Sequence, residues 1–339
     1  MTELAAIAGA LVGPGRGILA ADESTPTLTR RFKRLGIEST PETRRAYREL
    51  LITTPRLATW ISGVILYDET FRQRTTSGRT FPEELDALGL VPGIKVDTGA
   101  KPLAGRPEET VTEGLDGLRE RVAEYRAVGA RFAKWRAVIR IGDGLPSGAC
   151  LHANAHALAR YAALCQEGGL VPIVEPEVLL DGDHTLDRGA EVTDEVLRTT
   201  FPALADQGVD PAGIVLKASM VVAGGARTPR PTAAEVAAAT REVLDRTVPP
   251  DVPGVAFLSG GQEPVEATEH LQAINGVGRA RWRLTFSYGR ALQDPAMRAW
   301  RGVAARADAA QEALAHRARC NGAASTGDYT SGLETAAAA

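Results

Sequence analysis

Cysteine is scarce in this sequence: only Cys150, Cys165 and Cys320 occur. They form no CxxC pair, and an odd number leaves one unmatched, which argues against a disulfide framework. Long apolar runs are missing too. No stretch reaches the ~18 consecutive apolar residues of a membrane span. The opening Met1-Thr2-Glu3-Leu4-Ala5 carries an acid where a secretory signal would carry a cationic segment. A cytoplasmic location is therefore expected. Excess charge of either sign is also absent. The net charge of −3 gives no reason to expect nucleic acid or membrane as a partner, and an anionic substrate would need a local cluster of bases. Histidine is sparse, with five in all. His152 and His156 stand four apart on an expected helix and could clip a metal. No glutamate lies between them in the HExxH manner, and a helix surface is the plainer reading.

What is present is a composition of 44% hydrophobic and 24% charged residues, enough for a soluble protein with a large core. Short aliphatic runs recur along it. They are Gly17–Asp22, Ile61–Tyr67, Val91–Asp97, Phe132–Ile139, Val171–Val178, Gly213–Met220, Gly254–Gly261 and Arg281–Gly289. Most read as strands buried on both faces. Helical spacing marks Glu113–Val128, Ser147–Glu167, Thr232–Leu244 (with Thr232 as cap) and a long Ala-rich Arg290–Cys320. Strand-then-helix alternation with eight strands predicts a single-domain (β/α)8 TIM barrel over residues 1–320, a doubly wound sheet being the structural alternative. The small, polar Asn321–Ala339 reads as a mobile tail.

Barrel interiors normally take branched apolar side chains, yet these strands carry charge toward their C-terminal ends. Asp22, Lys95, Asp97, Lys134, Arg136, Glu175, Glu177 and Lys217 all sit there. Residues two apart in a strand face the same side, so Lys134 points with Arg136 and Glu175 with Glu177. Charge in a low-dielectric core is costly unless paired or used, and barrel active sites are built at this end. Several cations, several carboxylates and no obvious metal ligands suit an anionic substrate and covalent amine catalysis. An amine must be neutral to attack a carbonyl, and burial beside another cation favours that form. Lys217, set between Leu216 and Ala218, fits an activated lysine with Lys134 or Arg136 as the neighbouring cation. Ser259-Gly260-Gly261 and Ser287 with Arg290 follow the seventh and eighth strands, where barrels commonly hold phosphate.

Taken together these runs resemble class I fructose-bisphosphate aldolase. The resemblance rests on GILAADES (Gly17–Ser24), GIKVD (Gly93–Asp97), FAKWR (Phe132–Arg136), Val171–Glu177, DGDH (Asp181–His184), Leu216-Lys217, Phe257–Gly261 and LTFSYGRAL (Leu284–Leu292). It extends in order from about Leu11 to Cys320. It implies reversible cleavage of fructose 1,6-bisphosphate without a cofactor or metal, in a homotetramer whose partners are small sugar phosphates. It also implies roles. Lys217 forms the Schiff base, Glu175 shuttles protons, Asp22 takes the proton from the hydroxyl at the breaking bond, and Lys134 supports carbinolamine chemistry. Ser259, Gly260 and Arg290 bind the phosphate next to the ketone. Lys95, Arg136 and Arg30 or Arg31 bind the distal one, and Glu177 anchors the cations.

Two departures stand out. Ala218-Ser219-Met220 replaces the family's usual Pro-Asn-Met after the lysine. The animal enzymes end in a tyrosine that assists enamine proton exchange, whereas this chain ends in Glu334-Thr335 and four alanines. Another group or water is expected to serve instead, and Tyr329 is not assigned the role. The competing readings are a metal-dependent aldolase, a non-enzymatic barrel scaffold, and a Schiff-base aldolase for another keto-sugar phosphate.

Overall fold

A computed structural model describes residues 2–335. Eight parallel strands close into a barrel in the order β1-β10-β9-β8-β7-β6-β3-β2. They are β1 (Gly17–Ala21), β2 (Ile61–Leu66), β3 (Val91–Lys95), β6 (Phe132–Ile139), β7 (Val171–Val178), β8 (Val215–Leu216), β9 (Gly254–Phe257) and β10 (Arg283–Tyr288). The remaining two, β4 (Gly99–Leu103) and β5 (Arg106–Glu113), form an antiparallel ribbon above β3 that the sequence reading does not foresee. Part of the segment read as the helix Glu113–Val128 belongs to it or to its exit turn. The helix itself begins at Leu118, after Gly117 turns the chain through a left-handed φ of 63°.

Alternation along each strand sorts the barrel interior into two layers. Ile18, Ala20, Ile65, Phe132, Val171, Ile173, Val215 and Ala256 fill the lower half with Ala8 and Leu11 of the N-terminal helix Glu3–Leu11. That helix plugs the bottom of the barrel. Close approach there leaves no room for larger side chains: a Cβ on Gly93 would meet the Phe132 ring at 2.1 Å. One step further along the same faces the side chains turn polar, as in Val171, Ile173, Glu175, Glu177. The opposite faces pack outward on helices. Trp135, between Lys134 and Arg136, stacks on Tyr161 of the helix Gly148–Glu167 with ring centroids 5.5 Å apart.

Two further expectations need correction. Arg290–Cys320 is not one helix. Arg301 (φ 51°) and Gly302 (φ 75°) reverse the chain between Arg290–Trp300 and Ala307–Thr326. Nor does the ordered fold stop at Cys320. The last helix continues through Asn321, which is fully buried and accepts the Thr268 hydroxyl at 2.6 Å. Tyr329 is buried as well and donates to Glu334 Oε1 at 2.8 Å, while Arg317 pairs with the same carboxylate. Small residues there allow close helix packing, which composition alone does not distinguish from disorder. Ala336–Ala339 lie outside the described residues.

Candidate active site

The C-terminal ends of the barrel strands surround a cavity of about 400 Å³. Every residue to which the resemblance gives a catalytic or substrate-binding role lines it: Lys217, Glu175, Asp22, Lys134, Lys95, Arg136, Glu177, Ser259, Gly260, Arg290, Arg30 and Arg31. Strand register explains the convergence. Arg136 stands opposite Glu175 across the β6–β7 pair, and Lys134 opposite Lys95 across β3–β6. Lys217 follows the short β8, where its N–H donates to the Val174 carbonyl at 2.8 Å. Its side chain thereby joins the Glu175 side of the cavity.

The buried charges form an alternating line. Asp22 Oδ2 lies 2.8 Å from Lys134 Nζ, which lies 3.3 Å from Glu175 Oε2. The other oxygen, Oε1, lies 3.0 Å from Lys217 Nζ. Glu175 is thus shared by two lysine side chains, and these three residues are almost entirely withdrawn from solvent. Burial on its own would raise the carboxyls of Asp22 and Glu175. The charges of Lys134 and Lys217 outweigh it and hold both below the usual carboxylate range. Burial likewise opposes the charge on Lys134, but Asp22 and Glu175 overcome it and raise its pKa. Of the two cations the sequence offers beside Lys217, Lys134 reaches the same carboxylate as Lys217, whereas Arg136 is paired with Glu177.

A second group of charges lies toward β3. Lys95 Nζ is 3.2 Å from Asp97 Oδ1, and Arg136 is paired with Glu177. Asp97 also accepts the Gly99 and Arg136 backbone N–H groups, at 3.1 and 3.3 Å. It ties the ribbon to the barrel rim.

Two helix N-termini open on the cavity, each a ready anion site. The helix Arg290–Trp300 starts after Gly289 with no side-chain cap. Beside it Gly260 and Gly261 take left-handed φ values of 57° and 100°, and a Cβ on Gly261 would sit 3.4 Å from an Arg290 nitrogen. Only glycine suits that turn. The helix Thr25–Arg34 follows Ser24, whose hydroxyl donates to Thr27 Oγ1 at 3.2 Å. Arg30 donates to the same Thr27 oxygen at 3.2 Å, while Arg31 pairs with Glu23 and, at 2.7 Å, with Asp294. The two arginines that the sequence leaves as alternatives thus differ. Arg30 is exposed at the helix entrance, and Arg31 is held by acids.

Sequence reasoning gives no role to Glu23, Ser24 or Thr27, all of which line the cavity. A serine just ahead of Thr-Pro at a helix start was the available signal. Ser287 also lines it, its buried hydroxyl having no hydrogen-bond partner among the described residues. No histidine or cysteine is among the lining residues. His152 and His156 are exposed on the outer helix, and among the described residues neither belongs to a group of three or more metal-ligating side chains. His316, Cys320 and Glu334 do come together at the C-terminal helix, away from the cavity, where Glu334 already serves Arg317 and Tyr329.

The altered loop after Lys217 has a tether of its own. The Ser219 hydroxyl accepts the Val178 N–H at 3.1 Å and donates to the Val178 carbonyl at 2.9 Å. Ser219→Ala leaves both groups buried without partners. It is expected to destabilise the fold by ~1–3 kcal/mol. Thermal unfolding of the two proteins checks this, and an unchanged midpoint would show the tether to be dispensable.

Comparison with known proteins agrees with this geometry. The family model described as fructose-bisphosphate aldolase class-I matches residues 3–339. A probable fructose-bisphosphate aldolase class 1 from Xanthomonas campestris pv. campestris is 54% identical, over 96% of this chain and 98% of its own. Fructose-bisphosphate aldolase 4, cytosolic, from Arabidopsis thaliana is 50% identical, over 96% and 84% respectively. Among solved structures, fructose-bisphosphate aldolase from Plasmodium falciparum, in complex with TRAP and a small-molecule inhibitor, superposes with a TM-score of 0.95. It is 47% identical and the match covers 97% of this chain and 95% of that one. A match of this extent shows that the chain belongs to the class I fructose-bisphosphate aldolase family, a family of lyases.

Proposed function

We propose that this member cleaves fructose 1,6-bisphosphate reversibly into dihydroxyacetone phosphate and glyceraldehyde 3-phosphate through a Schiff base on Lys217, without a metal. The observation that carries this reading is the line Asp22–Lys134–Glu175–Lys217, with Glu175 touching both lysines. Lys217 Nζ attacks the ketone carbon, and Glu175 moves protons while the carbinolamine loses water. Asp22 takes the proton from the hydroxyl on the far side of the bond to be broken. As that bond cleaves, its electron pair enters the iminium, leaving an enamine on Lys217 and releasing the aldehyde. Protonation of the enamine carbon and hydrolysis return the free amine. Lys134 keeps both carboxylates ionised for these transfers.

Phosphate positions follow from the two helix N-termini. Ser259, Gly260 and Arg290 serve the phosphate beside the ketone. Lys95, Arg136 and, of the two alternatives Arg30 and Arg31, the exposed Arg30 serve the distal one, with Glu177 orienting Arg136. This second set favours a bisphosphate over fructose 1-phosphate. Arg30→Ala is expected to raise KM for fructose 1,6-bisphosphate about tenfold, as for loss of one charged hydrogen bond, and to leave KM for fructose 1-phosphate nearly unchanged. Equal effects on both substrates would remove Arg30 from the distal site.

The decisive experiment is borohydride reduction of the protein in dihydroxyacetone phosphate, with the adduct mapped by mass spectrometry. Labelling at Lys217, with activity unaffected by a chelator, is expected. Labelling elsewhere, or loss of activity to the chelator, overturns the mechanism. Any part of residues 336–339 in enamine proton exchange is tested by truncation after Thr335, since a cut at Cys320 would remove buried Asn321 and Tyr329. Enamine proton exchange should survive that truncation, and a sharp slowing would assign the step to the last four residues. A cytoplasmic homotetramer is part of the same proposal. In support, among the described residues no helix is long and apolar enough to cross a membrane, and the Arabidopsis relative is named cytosolic.

A further inference from the structure

The opposite end of the barrel holds a second cavity, of about 550 Å³, larger than the one at the catalytic end. Its wall carries Arg279, Arg281 and Arg283, all exposed. Arg16 adds a fourth guanidinium, packed 3.0 Å from where a Cβ on Gly13 would stand in the same wall. None of the four makes an ion pair among the described residues. Other exposed arginines divide: Arg246 pairs with Asp194 and Glu242, Arg72 with Asp68 and Glu124, and Arg119 with Glu167, whereas Arg34, Arg298 and Arg306 make no ion pair among the described residues; what sets this group apart is that its members share one concavity. The chain has 42 acidic residues and a net charge of −3, so unpaired bases are not forced by composition.

The polar groups between these arginines are already engaged. Thr285 donates to the Arg16 carbonyl at 2.6 Å, Ser325 to the Gly322 carbonyl at 2.7 Å, and Thr326 to Asp328 at 2.7 Å. Recognition at this cavity therefore falls to guanidinium groups, which bind phosphate oxygens through paired N–H donors. Like charges gathered around one concavity repel one another and raise the local anion concentration. We infer that this cavity is a second anion site, separate from the sugar-phosphate site, that takes an oligophosphate. The two sites sit at opposite ends of β10. Arg283 begins the strand and Arg290 lies just beyond its end, which places them about 20 Å apart at the usual strand rise.

Inorganic triphosphate is the probe, titrated calorimetrically into the full-length protein at low and moderate salt. The expected result is a binding event that saturating fructose 1,6-bisphosphate does not displace, and that weakens as salt rises. The triple variant Arg279→Ala, Arg281→Ala, Arg283→Ala should lose that event while keeping kcat and KM for the bisphosphate. Arg281→Ala alone, at an exposed position, should weaken it about threefold or more. Complete displacement of triphosphate by the bisphosphate overturns the inference, as does undiminished binding in the variants.

Discussion

Lys217→Arg is expected to lower kcat for fructose 1,6-bisphosphate cleavage on the order of 10⁴-fold or more. An arginine keeps the positive charge beside Glu175, 3.0 Å from the present amine. It remains protonated and offers no lone pair to a ketone. The variant therefore separates the covalent role proposed for Lys217 from an electrostatic one. Asp22 and Glu175 keep cationic neighbours, so the fold and the binding of a sugar phosphate should survive. Borohydride with dihydroxyacetone phosphate should leave no adduct on the variant. Activity within tenfold of the parent would show that no imine at this position is required, and the mechanism would have to be abandoned. A large loss of kcat together with a collapsed melting curve would say nothing about covalent chemistry, so kcat and thermal unfolding belong in the same comparison.

Lys134→Met should cost stability and activity together. Lys134 is the cation between two buried carboxylates, 2.8 Å from Asp22 and 3.3 Å from Glu175. Removing one partner from a buried charge network typically costs ~3–5 kcal/mol, because what remains is charge without compensation. The pH dependence has a definite sign. In the parent, both carboxyls are held below their ordinary values. Their contribution to stability is complete above the unfolded-state carboxylate pKa of ~4 and is lost as pH falls through the lowered folded values. Lys134 itself is raised. Its contribution is complete below the unfolded lysine pKa of ~10.4 and is lost as pH rises through the raised value. Parent and variant should therefore differ most in stability between about pH 5 and pH 10 and converge in acid. Without Lys134 the two carboxyls rise, and the acidic limb of kcat against pH should move to higher pH. Urea unfolding across that range and a pH–rate profile check both parts. A constant stability gap down into acid, or an unmoved acidic limb, would remove Lys134 from the role assigned to it.

Much of the architecture is legible along the chain, because the signals concerned are local. A parallel strand covered on both faces is an aliphatic run wherever it occurs, and a period of two assigns its faces from nearest neighbours. Val171, Ile173, Glu175 and Glu177 thus announce an interior that is apolar below and acidic above. Lys134 and Arg136 announce the same turn to charge one strand earlier, with Trp135 facing outward between them. Glycine at Gly260 and Gly261 marks a turn that other residues would strain.

Contacts between distant segments are decided only when the barrel closes. No spacing in the sequence says that the two oxygens of Glu175 divide between Lys134 and Lys217, because that depends on β6, β7 and β8 lying side by side. The same holds for Arg31, drawn to Glu23 and Asp294 while Arg30 stays at the helix entrance. Ser219 gains its meaning from Val178 on the neighbouring strand, and Asn321 from Thr268 on another helix. The ribbon Gly99–Glu113 escapes sequence reading because its strands are mostly exposed and polar. The end of the ordered fold escapes it because small residues pack a helix closely and also populate tails. Local periodicity thus determined the barrel and the set of charged residues at its rim. Which charge meets which was left to the tertiary structure, since Coulomb and hydrogen-bond energies depend on distances that only the closed barrel establishes.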